Sequence, residues 1–358
     1  MDSKSKAARR WVFFAGLIAL NVAHANHPRA IDHGPIGVMG DHYHEAGEWM
    51  VSARLMRMHM SGNQIGESKL DDSQIIRQPN APGRMPGKLS VVPQDMNIDM
   101  LMLGAMYAPS DRLTLMAMLM ASQKDMKLTS YAPPNIMMSS ALRPEIGSFS
   151  TASNDLEAVS LSGLIRLHES PLHRTHLTLG IQQSFAKPDA SDTALTPMGM
   201  EMTIRLPYSM QIGDESSRLN SALTHVYSHN DWAFGGQISA NFKLRSKDWH
   251  LGDIRQLTFW GQRSLSDRLS LSGRVAYQRV GGLTGIDANI VAPVQTAISS
   301  NYGGSHWRAG IGANMVAPLL PGTPERLGIE LEIPFKTDVR GVQMTPRWRL
   351  ALGIQKSF

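Results

Sequence analysis

Histidine and acidic residues gather near the N-terminus, in a short stretch whose side chains could hold a metal ion. His42 and His44 stand two residues apart, and Asp41 and Glu45 flank them. Imidazole nitrogen and carboxylate oxygen suit Cu(II), Ni(II) and Zn(II), although an H-x-H pair also occurs in solvated loops that bind nothing. A site that combines histidine and methionine ligands, in a chain without cysteine, would favour copper over zinc. The candidate metal ligands are His33, Met39, Asp41, His42, His44 and His59.

Methionine is the second residue type that could do chemistry, because it recurs on alternate positions in three segments. A thioether fills irregular space in a core, provides an apolar contact for a hydrophobic solute, or binds Cu(I). Packing against the N-terminal segment or an inward-folded loop is the simplest of these explanations, and the other two make the methionines ligand contacts. The methionines concerned are Met50, Met56, Met58, Met60, Met100, Met102, Met106, Met116, Met118 and Met120.

The stretch from Gln94 to Met120 indicates which element carries these methionines. Its apolar run is broken by Pro109, Ser110 and Asp111, which are residues typical of a tight turn. Each apolar half has about ten residues, too few for a membrane helix of about 20 but right for a tilted spanning strand of about 9–11. We therefore predict a β-hairpin that crosses a bilayer.

Alternating segments of similar length recur through the rest of the chain, most clearly from Trp232 to Arg245. No stretch after the N-terminal region reaches about 18 apolar residues, which excludes a helical membrane protein. We predict an all-β fold: a transmembrane antiparallel up-and-down β-barrel of about 12 strands, with short periplasmic turns and long extracellular loops. A soluble β-sandwich is the alternative, but it would not need strands of near-equal spanning length. The long loops are predicted at residues 61–93, 123–153, 186–217 and 281–303, and the last two strands at about 327–335 and 344–358.

The two ends of the chain carry export signals. Basic residues from Lys4 to Arg10, an apolar core from Trp11 to Val22, and Ala23-His24-Ala25 predict a signal peptide over residues 1–25. Residues 26–45 are then an irregular, His-rich N-terminal segment that could act as a plug, and residues 46–358 form the barrel. The terminal Phe358 is common in proteins inserted by the outer-membrane machinery.

Charge and cysteine content exclude some classes of partner. Removing the signal peptide takes away four cations and one anion, so the formal net charge falls from +5 to about +2. No run of lysine and arginine persists, so no nucleic-acid partner is expected. The absence of cysteine removes disulfides and thiolate metal sites.

Two similar turns assign the strand faces. The Ser-Asp-Arg-Leu sequence after Pro109 recurs after Leu265, where leucines alternate with serine and arginine and must face lipid. Aligning the two turns predicts that the leucines of the first hairpin face lipid and that its methionines face the lumen. The same face carries cationic residues that either make the lumen positive or pair with Glu330, Glu332 and Asp99. These cations are Arg54, Arg166, Lys243, Arg245, Arg274 and Arg349.

Several sequence blocks also carry a family resemblance. They are Gly37-Val-Met-Gly-Asp-His42, Gly47-Glu-Trp-Met50, Met56-Arg-Met-His-Met60, Tyr107-Ala-Pro-Ser-Asp-Arg-Leu-Thr114 and Leu206-Pro-Tyr-Ser-Met-Gln211. The chain resembles a Gram-negative outer-membrane transporter-like family, usually labelled meta-pathway phenol-degradation proteins. The resemblance implies a small barrel that passes hydrophobic or aromatic solutes, and it brings no catalytic or binding residues with it.

These patterns favour an outer-membrane channel or transporter for small hydrophobic or aromatic solutes, with a methionine-rich lumen wall. The alternative is an outer-membrane protein that binds or handles copper. An integral lipid hydrolase would need a Ser/His pair near the outer rim, and His225 has no G-x-S-x-G neighbour. We expect no enzyme activity and no cofactor unless copper binds. The expected partners are outer-membrane lipid, a small-molecule solute and the barrel-insertion machinery, and the expected location is the bacterial outer membrane.

Overall fold

Alternation of apolar and polar residues draws most of the chain into strands that pair with their neighbours in sequence. The computed structural model describes residues 29–134 and 143–358, so the predicted signal peptide lies outside the described residues. In chain order the strands are β1 (Trp49–Gly66), β2 (Ser68–Leu70), β3 (Val91–Ser110), β4 (Leu113–Tyr131), β5 (Glu145–Glu169), β6 (His173–Ser184), β7 (Ser191–Leu195), β8 (Glu201–Arg205), β9 (Ser217–His229), β10 (Trp232–Arg245), β11 (Trp249–His250), β12 (Ile254–Ser266), β13 (Leu269–Val280), β14 (Thr284–Gly285), β15 (Gly304–Ala317) and β16 (Glu325–Ser357).

Helical structure is minor in the described residues. It comprises α1 (Asp72–Ile75) and three 3-10 turns, at Tyr208–Met210, Gln295–Ala297 and Ser299–Asn301. No helix of the described part of the chain is long and apolar enough to cross a membrane.

The sheet closes on itself through its last strand. The order is β16-β15-β13-β12-β10-β9-β6-β5-β4-β3-β1-β2, and β16 also pairs with β1. Residues 325–339 of β16 pair with β15, while residues 342–357 pair with β1. The two predicted last strands are the two antiparallel arms of β16, and the chain reverses between them at Gly341, which has a positive φ of 60°. The predicted antiparallel barrel is confirmed.

Several predicted loops are wrong because the strands continue far beyond the apolar segments. β4 and β5 remain paired as far as Tyr131 and Glu145, across most of the predicted loop 123–153. β1 likewise extends to Gly66, and the predicted loop 186–217 contains the β7–β8 hairpin. Backbone hydrogen bonds hold a ladder together whatever its side chains are, so the loss of apolar alternation marks the edge of the lipid belt and not the end of the strand.

The outer face has an apolar belt and a polar zone beyond it. Leu55, Leu115 and Ile311 are about half exposed or more on the outward parity of their strands. Immediately beyond Leu55, Arg57 Nε donates to Asp99 Oδ1 at 2.6 Å in an exposed ion pair. The prediction that Asp99 faces the lumen is therefore wrong, since it shares the outward parity and pairs outside the barrel.

Candidate functional site

The N-terminal segment crosses the lumen at the end of the barrel that carries the short links. Ala30 donates its N–H to the carbonyl of Asp267 at 2.9 Å, in the short link between β12 and β13. The chain leaves the lumen where Gly47 donates to the carbonyl of Ala108 at 2.8 Å, beside the β3–β4 turn. Most residues between these points are buried. We call residues 29–48 the plug.

Polar side chains of the wall hold the plug by its backbone carbonyls. Gln262 donates to the carbonyl of His33 at 2.8 Å, Gln237 to that of Met39 at 2.9 Å, and His176 to that of Gly40 at 2.8 Å. Arg326 and Asn314 both donate to the carbonyl of Gly34. A buried carbonyl without a partner costs about 1–3 kcal/mol. These inward polar residues are therefore placed to stabilise this one path of the segment.

Ile36 anchors the plug by filling a notch that two glycines leave in the wall. A Cβ at Gly353 would lie 2.7 Å from Ile36 Cδ1, and a Cβ at Gly328 would lie 2.9 Å from Ile36 Cβ. Ile36 is itself buried. The notch exists because both wall positions lack a side chain.

Replacing Gly328 by valine is expected to push Ile36 out of its notch. Overpacking of this kind costs about 1–3 kcal/mol, so amide hydrogen exchange over residues 34–42 should accelerate about tenfold or more. Gly273→Val is the matched control, because nothing lies within 4 Å of a Cβ at that position. Equal exchange rates in the two variants would contradict the role of the notch.

The inward methionines form one wall that runs from the plug toward the other end of the barrel. At the plug, Met50, Met106 and Met116 pack with Tyr43 and Leu164. The lowest part of the methionine wall therefore serves packing against the N-terminal segment.

At the opposite end, the wall packs against loops that fold into the mouth of the barrel. Residues 206–212 and 290–302, which we call the lid, join Met60, Met96, Met126 and Met344 in one buried apolar cluster. Lys124 fixes the lid by donating to the carbonyls of Ser209 at 3.0 Å and Gln211 at 2.7 Å.

Between plug and lid, the methionines are less tightly packed. Residues of this middle zone lie opposite one another across strand pairs, as Met56 and Met100 do across β1 and β3. Of the six, Met120 is buried, and the other five stay partly exposed although they share the inward parity. The six are Met56, Met58, Met100, Met102, Met118 and Met120.

A cavity of about 200 Å³ opens beside this zone. Met58, Met60 and Met344 form its apolar side, and Met60 and Met344 also touch the lid cluster. Its polar side contains Gln278, His306, Arg308, Glu332 and Arg349.

The polar side is organised around buried carboxylates. Glu332 contacts Arg274 at 2.5 Å, Arg308 at 2.8 Å and Arg349 at 3.4 Å, and Arg274 also pairs with Glu330. The expectation that lumen cations pair with Glu330 and Glu332 thus holds for Arg274 and Arg349. Three guanidinium groups share two carboxylates, so the formal charge of this cluster is +1. The sequence analysis did not identify Arg308 as a lumen cation. Its position on the inward-facing parity of β15 was the feature that could have indicated it.

The other predicted lumen cations have different surroundings. Arg54 contacts the sulfur of Met39, and the guanidinium of Arg166 lies 4.4 Å from the ring centre of Tyr43. Both therefore contact the plug. Lys243 and Arg245 stand near the end of β10, and Arg245 is exposed.

Three of the predicted metal ligands come together inside the plug. His33 Nδ1 lies 3.3 Å from His42 Nδ1, and His42 Nδ1 lies 3.0 Å from Asp41 Oδ1. Ligand atoms of all three residues lie within 4.8 Å of one another. The ring centre of His44 is 5.0 Å from that of His42, and His44 Nδ1 contacts Glu48 at 3.2 Å.

Two of the predicted ligands stand apart from this cluster. The sulfur of Met39 is taken by Arg54. His59 shares the outward parity of β1, where its Nδ1 contacts Asn97 at 3.1 Å. A single site that contains all six candidates is therefore wrong, because strand parity separates His59 from the lumen.

The electrostatics of the plug favour neutral rings at His33 and His44 beside a charged Asp41 carboxylate. Burial lowers the pKa of His33 well below its ordinary value, and the neighbouring His42 and Arg326 lower it further. Burial also lowers the pKa of His44. Burial opposes ionisation of Asp41, but His42 and Arg326 hold the pKa of that carboxyl well below its usual range. The cluster thus presents two ring nitrogens and one carboxylate oxygen.

Comparison with known proteins shows which solved structures have a similar fold. No known family model matches the sequence, and no curated protein matches it. The chain is similar to the COG4313 outer membrane channel from Pseudomonas putida F1, with a TM-score of 0.53 and 12% identity, over 89% of this chain and 98% of that chain.

Two other similar structures are a FadL homologue from Pseudomonas aeruginosa (TM-score 0.41, 9% identity, 86% of this chain and 90% of that chain) and the toluene transporter TodX of P. putida (TM-score 0.40, 8% identity, 87% and 90%). At these identities, the likeness to the COG4313 channel shows the fold. That fold is a closed antiparallel β-barrel.

Proposed function

We propose that the protein is a bacterial outer-membrane channel for small, largely apolar solutes of about the size of one aromatic ring. The observation that carries this proposal is the cavity of about 200 Å³ between the methionine wall and the arginine cluster. The plug lies toward the periplasmic end of the lumen, and the lid lies toward the extracellular end, where it contacts Met60 and Met344 of the cavity wall.

The size of the cavity supports a single-ring solute. In another protein, an apolar cavity of about 150 Å³ takes up benzene, so about 200 Å³ accommodates one ring with a small substituent. Larger solutes such as oligosaccharides would need both plug and lid to be displaced.

The chemistry of the two walls supports an aromatic solute. A thioether at a ring edge contributes about 0.3–1.5 kcal/mol, and Met58 and Met60 supply two such groups. A guanidinium over a ring face adds about 0.5–1 kcal/mol at an exposed site. Arg308 and Arg349 line the opposite side within a cluster of formal charge +1. A phenol or an aromatic carboxylate would satisfy both walls.

Exchanging Met58 for glutamine tests the methionine wall. Loss of one contact of about 1 kcal/mol should weaken binding of phenol or benzoate about fivefold, as measured by ligand-observed NMR on the barrel in detergent. Met198→Gln is the matched control, because Met198 is 70% exposed in the β7–β8 hairpin link. Equal affinities in the two variants, or no binding by the unmodified barrel, would contradict the proposal.

Binding of copper through mixed histidine and methionine ligands stays a prediction. Membership of the phenol-degradation family also stays a prediction.

A further inference from the structure

We propose that His33, Asp41 and His42 bind one divalent first-row transition-metal ion, and that this ion latches the plug in place. The metal-binding claim is independent of the channel function. The latch claim rests on the proposed function, because it concerns what the bound ion does to the pore.

The distances in the cluster match those between neighbouring ligands of a metal ion. Ligand atoms that lie about 2.0–2.1 Å from Zn(II) in a tetrahedron are about 3.3 Å apart. His33 Nδ1 and His42 Nδ1 are 3.3 Å apart, and Asp41 Oδ1 is 3.0 Å from His42 Nδ1. An ion can therefore reach both nitrogens and the carboxylate with small side-chain movements.

The cluster has more lone pairs than protons. A neutral imidazole has one N–H, so two facing Nδ1 atoms and a carboxylate share at most two protons. His42 Nε2 and His44 Nε2 are buried without a hydrogen-bond partner among the described residues, and both residues are at least nine-tenths buried. A cation between His33 and His42 would use the lone pairs of the two facing Nδ1 atoms, while the Nε2 atoms would carry the ring N–H groups.

A supporting contact holds the carboxylate in a ligating position. The N–H of Gly34 donates to Asp41 Oδ2 at 2.6 Å, which leaves Oδ1 directed at His42. Outer contacts of this kind commonly orient metal ligands. The wall donors Gln262 and Asn314 fix the same turn by binding the carbonyl of His33.

The charges around the cluster select the class of ion. Arg326 donates to Gly34, the residue next to His33, and Asp41 is the one carboxylate among the three ligands. Ca(II) and Mg(II) prefer several oxygen ligands, so this site suits them poorly. Zn(II), Ni(II) and Cu(II) bind imidazole well, and the two buried imidazoles of His33 and His42 meet that preference.

The position of the ligands explains the latch. His33 precedes the turn that inserts Ile36 into the wall, and Asp41 with His42 follows it. An ion bound to all three closes this loop. The plug could then leave the lumen only by giving up the metal bonds together with its hydrogen bonds to the wall.

Calorimetry on the full-length protein tests the binding claim. The barrel is purified in detergent without a polyhistidine tag, stripped with EDTA, and titrated with ZnCl2, NiCl2 and CuSO4. We expect one ion per barrel, with affinity reduced about 100-fold in His33→Gln and His42→Gln, and unchanged in His59→Gln. Absence of stoichiometric binding, or equal affinity in all variants, overturns the site.

Two further measurements keep this test decisive if a variant folds poorly. Co(II) bound to the unmodified protein should give visible absorption bands typical of nitrogen and oxygen ligands, and failure to do so counts against the site. Asp41→Asn keeps the acceptor for Gly34 but removes the charge, so it should fold normally and bind the metal more weakly.

Planar-bilayer recordings test the latch. EDTA should raise the conductance of the unmodified channel, and Zn(II) should reverse the rise. The conductance of the His33→Gln variant should change with neither EDTA nor Zn(II). Conductance that is insensitive to metal, in a protein that binds the ion, overturns the latch and leaves the site standing. An unmodified protein that binds metal but never conducts overturns both the proposed channel and the latch, and again leaves the site standing.

Discussion

Deleting residues 29–45 is expected to raise the single-channel conductance of the reconstituted barrel severalfold. The plug fills the lumen at the periplasmic end, where Ile36 and Tyr43 are packed against the wall. Once it is gone, wall groups such as Gln262 and Asn314 can bind water in its place, so the barrel should remain folded. Heat-modifiable migration on gels verifies folding, and planar-bilayer recording measures conductance.

The matched control removes the tip of the β7–β8 hairpin, residues 196–200, which lies outside the lid cluster. This deletion should leave conductance unchanged. A folded, plug-free barrel with the conductance of the intact protein would show that the plug does not limit the pore.

Replacing Arg274 by methionine is expected to destabilise the barrel by about 3–5 kcal/mol. Arg274 bridges Glu330 and Glu332, and all three side chains are almost completely buried. Removing the guanidinium leaves Glu330 without its ion-pair partner, and a buried, uncompensated charge is costly. Urea unfolding in detergent or lipid vesicles measures the loss.

Arg57→Met is the control for this prediction, because Arg57 is 56% exposed in its ion pair with Asp99. An exposed pair contributes about 0–1 kcal/mol. The double variant Arg274→Met with Glu330→Met should recover part of the loss, since replacing a whole buried pair by apolar residues is often neutral. Equal losses for Arg274→Met and Arg57→Met would contradict the importance of the buried cluster.

The sequence alone was enough to predict the fold class. That prediction depends on a period of two residues, which is local and needs no knowledge of distant strands. The same period predicts a lumen-facing side for the methionines, of which Met50 and Met106 lie opposite each other across β1 and β3 and are both buried.

Strand ends were predicted poorly for a physical reason. The apolar signal reports the thickness of the lipid belt, whereas β4 and β5 continue as a ladder of polar residues beyond it. Backbone hydrogen bonds leave no trace in composition. The two arms of β16 were predicted as separate strands, because their apolar alternation stops on either side of the reversal at Gly341.

Only the tertiary structure decided which residues meet across the lumen. Alternation places Met58 and Arg308 on inward faces, but closure of the barrel brings them to one cavity. The path of the plug likewise joins His33 to Asp41 and His42 while strand parity carries His59 to the outer face. Periodicity within a strand is local information, whereas contacts across a closed barrel depend on the register of all its strands together.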